Sequence, residues 1–369
     1  MRTSLVRAQL AAAGAAFRER HGVEVVSRLA DREVEYRAVR DAVALTDFSF
    51  VQKYRVPEEK GIDFLDALLA GNVAKIRFGR VLHTFLADPD GFIVGDCYVA
   101  NNDTELIFLC EGLLPDAVLQ AQLEAAGASA AGAEDLTANH ELFSLDGFRA
   151  WEVVKEIFGA DVLGLPYLSI EVYPFAGQTV RLFRSGKTSE FGYLLLTPQA
   201  VVPELFDTLT KSIAKREGRI CGVDIHDDLR LEGRFFNLHA EGQRVRDPLA
   251  LGLQWMIDFD KESFIGGEAI KRRRAEGLKR KIVGVATEPG CEALQTGAKI
   301  FHEDQPVAEV VASCHSFVLS HRLGLALLPR ELAYSGLSFH LAAPDGPLVR
   351  TISMPPIMPR SLTVKLDEM

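Results

Sequence analysis

The sequence lacks the short motifs that identify the commonest enzyme chemistries. It has no Gly-x-Ser-x-Gly nucleophile turn, no phosphate-binding P-loop, no His-Glu-x-x-His metal helix and no Gly-x-Gly-x-x-Gly dinucleotide loop. Its five cysteines are scattered, with no Cys-x-x-Cys pair and no Cys/His group at zinc spacing. We therefore expect neither a disulfide scaffold nor a metal site, and the odd cysteine count favours a reducing, cytoplasmic location.

Long apolar runs are also missing. No stretch reaches the roughly 20 apolar residues that a membrane-spanning helix needs. The opening MRTSLVRAQLAAAGAAF resembles a signal peptide, but Arg7 and Gln9 interrupt its apolar part, so we interpret it as an amphipathic helix. The net charge of −10 makes the chain a poor general binder of nucleic acid or anionic membrane. We expect neither as a partner.

What the sequence does contain is the composition of an ordinary globular protein. Its 369 residues are 48% hydrophobic and 25% charged, and this length predicts two or three structural units. Strand and helix patterns mix without strict strand-helix-strand alternation, which predicts the α+β class. After about residue 277 the helical patterns stop. The short strands and turns that remain predict a small antiparallel barrel or sandwich.

One predicted hairpin carries an unusual carboxylate. The turn sequence Asp88-Pro89-Asp90-Gly91 separates the apolar runs VLHTFLA and FIVGDCYVA, which is a strong hairpin pattern. Alternation along the return strand places Val94, Asp96 and Tyr98 on one face. Aspartate is disfavoured in strands, and a carboxylate among apolar neighbours must be hydrogen-bonded, paired or shifted in pKa. From these residues alone, Asp96 is either a buried functional group or an edge-strand aspartate facing water.

Two charged clusters have ordinary interpretations. His226-Asp227-Asp228 lies in a helical pattern with Arg230 at ion-pair spacing, so a salt-bridged helix face is favoured over a metal site. The segment 271–281 carries seven basic side chains, and we interpret it as a solvated helix end and linker. Its functional alternative is a surface that attracts a polyanionic ligand tail or an acidic partner protein.

Three segments together resemble one family. They are the hairpin DPDGFIVGDCYV, the helix DDLRLEG that begins at Asp227, and the stretch 247–285. The last has a Pro, Gly-Leu-x-Trp and Phe-Ile-Gly pattern at Pro248, Gly252, Leu253, Trp255, Phe264, Ile265 and Gly266. This order of segments resembles the tetrahydrofolate-dependent one-carbon transferases built like the glycine-cleavage-system aminomethyltransferase. The resemblance implies a three-domain ring, with two mixed α+β domains around a folate pocket and a C-terminal antiparallel β-barrel.

The same resemblance implies domain boundaries. The first α+β domain would comprise residues 1–48 and 141–238, and the second residues 49–140 and 239–276. The barrel domain would comprise residues 277–369. Both α+β domains would thus be discontinuous in the chain.

Carried over residue by residue, the resemblance assigns a site. Asp96 falls on the family's catalytic aspartate, and tetrahydrofolate would be the cofactor. The cofactor-binding positions would be Val51, His83, Tyr98, Tyr167, Glu190, Arg230 and Phe235. No metal is implied. Because positioning alone can supply roughly 7–11 kcal/mol of a transfer barrier, one well-placed carboxylate suffices as the main ionisable participant.

Several positions depart from the family pattern. Gly95 replaces the first acid of a pair, and Leu194 replaces a glutamate that binds the pterin. Two tyrosines of the family are replaced by His83 and Phe235, and an arginine is replaced by His226. The family's Ser-His-Met run is replaced by Ser49-Phe50-Val51. Loss of the glutamate removes a charge-assisted contact worth about 1.5–3 kcal/mol. Either folate binds in a modified pose that uses Glu190 or Lys187, or the pocket no longer holds folate.

Three functions are compatible with this resemblance. The run Asp-Gly-Phe-Ile-Val-Gly-Asp is similar to the branch that demethylates small O-, S- or N-methylated compounds, so the first expectation is methyl transfer to N5 of tetrahydrofolate. The second is an aminomethyltransferase of a glycine-cleavage-type system, acting on a lipoyl-carrier protein. The third is a non-catalytic folate-binding accessory protein, whose Lys-Gly-Cys-x-x-Gly-Gln motif is absent from this sequence.

Overall fold

The computed structural model describes residues 1–365. Its helices are α1 (Arg7–Ala12), α2 (Arg32–Asp41), α3 (Glu58–Leu68), α4 (Asp116–Ala125), α5 (Ala128–Ala131), α6 (Ala150–Phe158), α7 (Val202–Ala214), α8 (Asp224–Gly233), α9 (Glu241–Arg244) and α10 (Gly267–Glu276). Its strands up to the middle of the chain are β1 (Ala16–Arg20), β2 (Val23–Arg28), β3 (Ala44–Asp47), β4 (Gln52–Pro57), β5 (Val81–Ala87), β6 (Ile93–Asn102), β7 (Glu105–Gly112), β8 (Glu134–Asp135) and β9 (His140–Asp146). The remaining strands are β10 (Ser169–Phe175), β11 (Gln178–Arg184), β12 (Gly192–Pro198), β13 (Arg219–Cys221), β14 (Arg280–Thr287), β15 (Lys299–His302), β16 (Gln305–Ser316), β17 (His321–Pro329), β18 (Ser338–Leu341) and β19 (Leu348–Ile352).

The described chain forms two compact units. The first comprises residues 1–86, 95–226 and 359–365, and the second comprises residues 87–94 and 227–358. This division into two units does not test the three-domain boundaries inferred from the resemblance, which stay a prediction. The mixture of helices and sheets confirms the predicted α+β class.

The first unit contains two large sheets. One has six strands in the order β10-β11-β12-β9-β3-β13, and the other has five strands in the order β5-β6-β7-β4-β8. A shared apolar cluster joins them, with Leu142 and Leu194 from the six-stranded sheet and Val81 and Ile107 from the five-stranded sheet. The two sheets therefore pack face to face across a common core.

Strand β12 shows why the sequence specifies this layering. In GYLLLTP, Leu194 and Leu196 join the core between the sheets. Tyr193 and Leu195 point the other way and pack in a second cluster with residues of α6 and α7, among them Val153. Because alternate residues are buried on opposite faces, the strand is an almost continuous apolar run.

The turn between β5 and β6 confirms the predicted hairpin. The Gly91 backbone has φ +74°, which is the left-handed region that glycine favours. The N–H of Asp88 donates to the carbonyl oxygen of Phe92 at 2.8 Å, and the Asp88 carboxylate accepts from the Phe92 N–H at 2.9 Å. A Cβ at Gly91 would lie 2.8 Å from the Gly266 carbonyl oxygen, so a larger residue has no room.

The C-terminal part of the second unit confirms the predicted barrel. Six antiparallel strands close in the order β14-β17-β16-β15-β18-β19. Its interior is a separate apolar cluster that includes Val285, Val310 and Phe339. Closure removes the exposed strand edges that an open sheet of this size would have.

The N-terminal prediction was wrong in its extent. The sequence pattern predicts one amphipathic helix over the first 17 residues, whereas α1 covers only Arg7–Ala12. Gly14, at φ +89°, ends the helical path, and the next residues form the hairpin β1-β2. No helix among residues 1–365 combines the length and the apolar composition required to cross a bilayer.

Candidate active site

Asp96 lies in the middle of β6, an inner strand of the five-stranded sheet. Its neighbours in the sheet are β5 and β7. The residue is only 3% exposed. Of the two alternatives left by the sequence, the structure therefore selects the buried carboxylate and excludes an edge-strand aspartate facing water.

Both carboxylate oxygens of Asp96 have a charged or polar partner. His83, on β5, lies with Nε2 at 2.6 Å from Oδ1. The Nζ of Lys187, in the segment 185–191 between β11 and β12, donates to Oδ2. Since an ionised carboxylate can only accept hydrogen bonds, His83 Nε2 is the donor in the first contact. Lys187 is itself 8% exposed, so this ion pair is shielded from solvent.

A second carboxylate stands beside the first. Glu111 on β7 is directly opposite Asp96 in the strand register, and its Oε2 lies 3.8 Å from Lys187 Nζ. One ammonium thus lies between two buried carboxylates. Sequence reasoning missed Glu111, because only the register between β6 and β7 reveals that it faces the same side as Asp96. With Gly95 in place of the family's first acid, Glu111 is the nearest acidic neighbour across the ladder.

The electrostatics of this cluster keep Asp96 ionised. Burial alone raises the pKa of Asp96, but the ammonium of Lys187 and the hydrogen-bonded ring of His83 outweigh it. The pKa of Asp96 falls to about 2. Asp96 is therefore a fixed negative charge at neutral pH and does not exchange protons there.

Two tyrosines named from the sequence lie close to this cluster. The rings of His83 and Tyr98 have centroids 4.6 Å apart, and Lys187 Nζ lies 5.1 Å from the centroid of Tyr98. The hydroxyl of Tyr167 donates to the Gly186 carbonyl oxygen at 3.3 Å, next to Lys187 in the chain. Tyr167 as a whole is 48% exposed, unlike the other members of the cluster.

Val51 and Leu194 form part of the apolar surroundings. Both are buried in the cluster that contains Tyr98. Leu194 cannot accept a hydrogen bond, so no carboxylate is available at this position for the amino edge of a pterin. The pair formed by Asp96 and Glu111 is the local source of negative charge instead.

Glu190 serves a different purpose from the one expected. Its Oε1 accepts from Arg40 Nη1 at 3.2 Å, and its Oε2 accepts from the Ser361 N–H at 3.0 Å and from Ser361 Oγ at 2.6 Å. These contacts hold the segment 359–365 on the first unit. A modified folate pose that relies on Glu190 would have to share or break this network, and a role for Glu190 in cofactor binding stays a prediction.

Two further candidates belong to the other compact unit. Arg230 is buried on α8, and the N–H of Phe235 donates to the Arg230 carbonyl oxygen at 2.8 Å. The sequence-derived set is therefore divided. Val51, His83, Asp96, Tyr98, Tyr167 and Glu190 lie in the first unit, whereas Arg230 and Phe235 lie in the second.

The chemistry of the donor set is suited to a flat, nitrogen-rich ligand. A pterin presents ring nitrogens and an amino group that pair with carboxylates, and an aromatic face that stacks on tyrosine or histidine. Asp96, His83, Tyr98 and Tyr167 provide both kinds of group within one cluster. The buried hydroxyl of Ser185 has no hydrogen-bond partner among the described residues, and it lies two residues from Lys187.

Comparisons with known proteins agree with this description. Residues 6–261 match the family model described as the GCVT N-terminal domain, and residues 280–357 match the glycine cleavage T-protein C-terminal barrel domain. An aminomethyltransferase of Mycobacterium leprae is 27% identical over 324 residues, covering 87% of this chain and 86% of that protein. One from Bacillus pumilus is 27% identical over 321 residues, covering 85% and 87%.

A solved structure has the same fold. Glycine cleavage system aminomethyltransferase T from Bartonella henselae superposes with a TM-score of 0.81 and 20% identity, covering 97% of this chain and 99% of that one. The family model covers both the strand that carries Asp96 and the segment that carries Lys187. The chain belongs to the glycine-cleavage T-protein family of aminomethyltransferase-like proteins.

Proposed function

We propose that this protein is a tetrahydrofolate-dependent one-carbon transferase that catalyses aminomethyl transfer of the glycine-cleavage type. The observation that supports this most is the buried carboxylate Asp96 in a chain that matches the family over both of its domains. The relatives named above are aminomethyltransferases, which favours this reaction over the methyl transfer expected first from the sequence.

Tetrahydrofolate would be held by the cluster around Asp96. The carboxylate would accept hydrogen bonds from the pterin, and Tyr98 and Tyr167 would contact its faces. Bound tetrahydrofolate supplies the nucleophilic nitrogens that accept the one-carbon unit. Asp96, being permanently ionised, would orient these groups and stabilise positive charge that develops during transfer. Alignment of donor and acceptor would supply most of the acceleration, up to roughly 7–11 kcal/mol.

A lipoyl-carrier protein would deliver the aminomethyl group. The second unit has a cleft of about 450 Å³ whose lining includes five basic and two acidic side chains. The basic members are Arg244, Arg246, Arg273, Lys279 and Arg280. This charge excess favours an acidic docking surface on the carrier. It also gives the basic stretch 271–281 a purpose beyond that of a linker.

The test is a product assay with purified protein. Tetrahydrofolate and an aminomethyl-loaded lipoyl carrier should yield 5,10-methylenetetrahydrofolate, measured by chromatography. Asp96→Asn should lower turnover at least tenfold, because the amide keeps the shape and loses the charge. Its thermal unfolding serves as the control for a folded protein. Unchanged turnover in this variant would remove Asp96 from the mechanism.

Demethylation of a small methylated compound is the second candidate. Lys187 already occupies one oxygen of Asp96, which makes the site less suited to a cationic aminomethyl group and more suited to an uncharged or anionic donor. Incubation with uncharged or anionic methoxy compounds should then give 5-methyltetrahydrofolate without any carrier. Folate binding with no product in either assay would indicate a non-catalytic folate-binding protein.

A further inference from the structure

We propose that Ser361 is a positioning residue for the transfer reaction. It fixes the segment 185–191, and that segment presents the Lys187 ammonium to Asp96. The catalytic part of this inference rests on the proposed function. The structural part concerns contacts within the protein alone and can be tested separately. All of the residues involved belong to the first unit.

Lys187 reaches Asp96 from a different sheet. Its segment joins β11 to β12 of the six-stranded sheet, whereas Asp96 lies on β6 of the five-stranded sheet. A lysine side chain is a flexible four-carbon stem, so the position of its ammonium depends on how firmly the backbone beneath it is held. Whatever fixes the backbone of the segment 185–191 therefore also fixes the counter-ion of Asp96.

The backbone of this segment needs support from elsewhere in the chain. Its residues belong to neither a helix nor a strand. Ser189 has φ +71°, in the left-handed region that a residue with a Cβ adopts only when its surroundings impose it. A Cβ at Gly186 would lie 2.8 Å from the Cα of Gly192, so the two ends of the segment are in close backbone contact. Contacts with other parts of the chain therefore determine the shape of this loop.

Arg40 and Ser361 both hold the segment 185–191. Arg40, on α2, donates through Nη1 to the Thr188 carbonyl oxygen at 2.7 Å and to Glu190 Oε1 at 3.2 Å. Ser361 Oγ donates to Glu190 Oε2 at 2.6 Å and accepts from the Phe191 N–H at 2.9 Å. Arg40, Glu190 and Ser361 are all buried. Ser361 thus contacts the segment through one of its side chains and through its backbone.

The hydroxyl of Ser361 is the contact that separates positioning from general stability. Its single oxygen donates and accepts, and both partners are residues of the segment 185–191. Thr363, in the same C-terminal segment, donates instead to the Arg360 carbonyl oxygen at 2.7 Å and is exposed. Removal of either hydroxyl deletes a hydrogen bond, but of the two only Ser361 contacts the segment that carries Lys187.

The position of Lys187 matters because it determines the state of Asp96. Burial raises the pKa of Asp96 and the Lys187 ammonium lowers it, so a displaced ammonium weakens the fixed negative charge. The same ammonium lies 3.8 Å from Glu111 Oε2, so both buried carboxylates depend on it. In the proposed reaction Asp96 orients the cofactor, and a misplacement of roughly 1 Å in a site can cost about 100-fold in rate. Because Arg40 remains in place, loss of the Ser361 hydroxyl should have a smaller effect.

The test is amine labelling of the whole protein, without turnover. A water-soluble acetylating reagent is added, and mass spectrometry gives the labelling rate of each lysine. In the wild-type protein Lys187 should react slowly, since its ammonium is buried between two carboxylates. Ser361→Ala should raise the rate at Lys187 about tenfold, because the segment 185–191 opens more often. Lys53, which is also buried in the first unit, should keep its wild-type rate.

Two matched variants control this result. Ser361→Thr keeps the hydroxyl and should leave Lys187 protected. Thr363→Ala removes a hydroxyl from the same segment and should also leave Lys187 protected. A rate increase at both Lys187 and Lys53 would mean that the protein has loosened as a whole. That outcome, an unchanged rate at Lys187, or equal increases in Ser361→Ala and Ser361→Thr would each overturn the inference.

Kinetics of the same variants test the catalytic part. Ser361→Ala should lower kcat about tenfold, because the counter-ion of Asp96 is misplaced. KM for the carrier protein should not change, since the proposed docking cleft lies in the other unit. Faster labelling of Lys187 with an unchanged kcat would overturn the catalytic part. Absence of any product from the wild-type protein would overturn the proposed function and the catalytic part together, while the labelling rates still decide the structural part.

Discussion

Two buried lysines in the first unit lie near carboxylates, but their surroundings differ. Lys187 contacts Asp96 directly, and the pKa of that carboxyl falls to about 2. Lys53, which is fully buried, instead donates to the Ser49 carbonyl oxygen at 3.0 Å. Burial lowers the pKa of Lys53 to about 8 and raises that of its neighbour Glu141 to about 7. Asp96 therefore stays ionised at neutral pH, whereas burial favours the neutral forms of Lys53 and Glu141.

A buried charge is tolerable when direct ion contacts and hydrogen bonds accompany it. A direct ion contact with further hydrogen bonds offsets much of the desolvation that burial imposes, as at Asp96. Glu141 receives one hydrogen bond, from the N–H of Leu5, and its Oε2 has no partner among the described residues. The contacts of Asp96 with Lys187 and His83 thus keep a buried negative charge in the candidate site. The Glu141 cluster anchors the N-terminal segment at an energetic cost.

The largest expected effect separates the two lysines. Lys187→Met leaves Asp96 and Glu111 buried without their shared cation, which should cost about 3–5 kcal/mol of unfolding free energy. Lys53→Met removes a cation that burial already disfavours, so it should change stability by no more than about 1 kcal/mol. Urea denaturation of both variants at pH 7 measures this contrast. Equal losses would mean that the two clusters are energetically alike.

A smaller effect concerns the pH dependence of stability. The pKa of Glu141 is about 7 in the folded protein and has an ordinary value of 4.5, so between these pH values the folded state binds more protons than the unfolded chain. Stability contributed by this group is therefore lost as the pH rises from about 4.5 to 7. Glu141→Gln should flatten that decline. Between pH 4.5 and pH 7 the variant should lose up to about 3 kcal/mol less unfolding free energy than the wild-type protein loses.

Asp96 provides the internal contrast for this experiment. Its folded pKa is lowered, so the stability it contributes is present above pH 3.8 and is lost only as the pH falls toward 2. Asp96→Asn should therefore not alter the slope between pH 5 and pH 7. Denaturation midpoints measured at half-unit intervals across this range compare the two variants. A slope that survives Glu141→Gln would assign the decline to another group.

Local patterns were sufficient for much of the fold. The turn at Asp88–Gly91 and the alternation around Asp96 predicted the hairpin and the shared face, and the loss of helical pattern near residue 277 predicted the barrel. The hairpin β1-β2 was missed because its residues follow a helical segment and lack a strong turn pair. Local propensity there was overruled by pairing between strands.

The partners in the site could not be predicted in the same way. Lys187 is 91 residues away from Asp96 in the chain, and its contact depends on how the two sheets pack. Glu111 meets Asp96 only through the register of β6 and β7. Alternation identifies which face a side chain occupies, but not which residue of another strand lies opposite it. For this reason the sequence identified Asp96 and named Lys187 only as a possible folate contact, without predicting the ion pair between them.

The smallest expected effect tests the support beneath the Asp96 cluster. A Cβ at Gly95 would lie 2.7 Å from Cys110 Sγ, so Gly95→Ala must displace that sulfur or shift β6 relative to β7. We expect a loss of about 1–3 kcal/mol from this overpacking, with no change in the Glu141-dependent slope.

Cys110→Ala removes the obstructing sulfur and makes a matched double variant possible. If the clash is the cause, adding Gly95→Ala to Cys110→Ala should cost less than adding it to the wild-type protein, by about 1 kcal/mol in a double-mutant cycle. Strict additivity would instead mean that the methyl group is accommodated without a clash with the thiol.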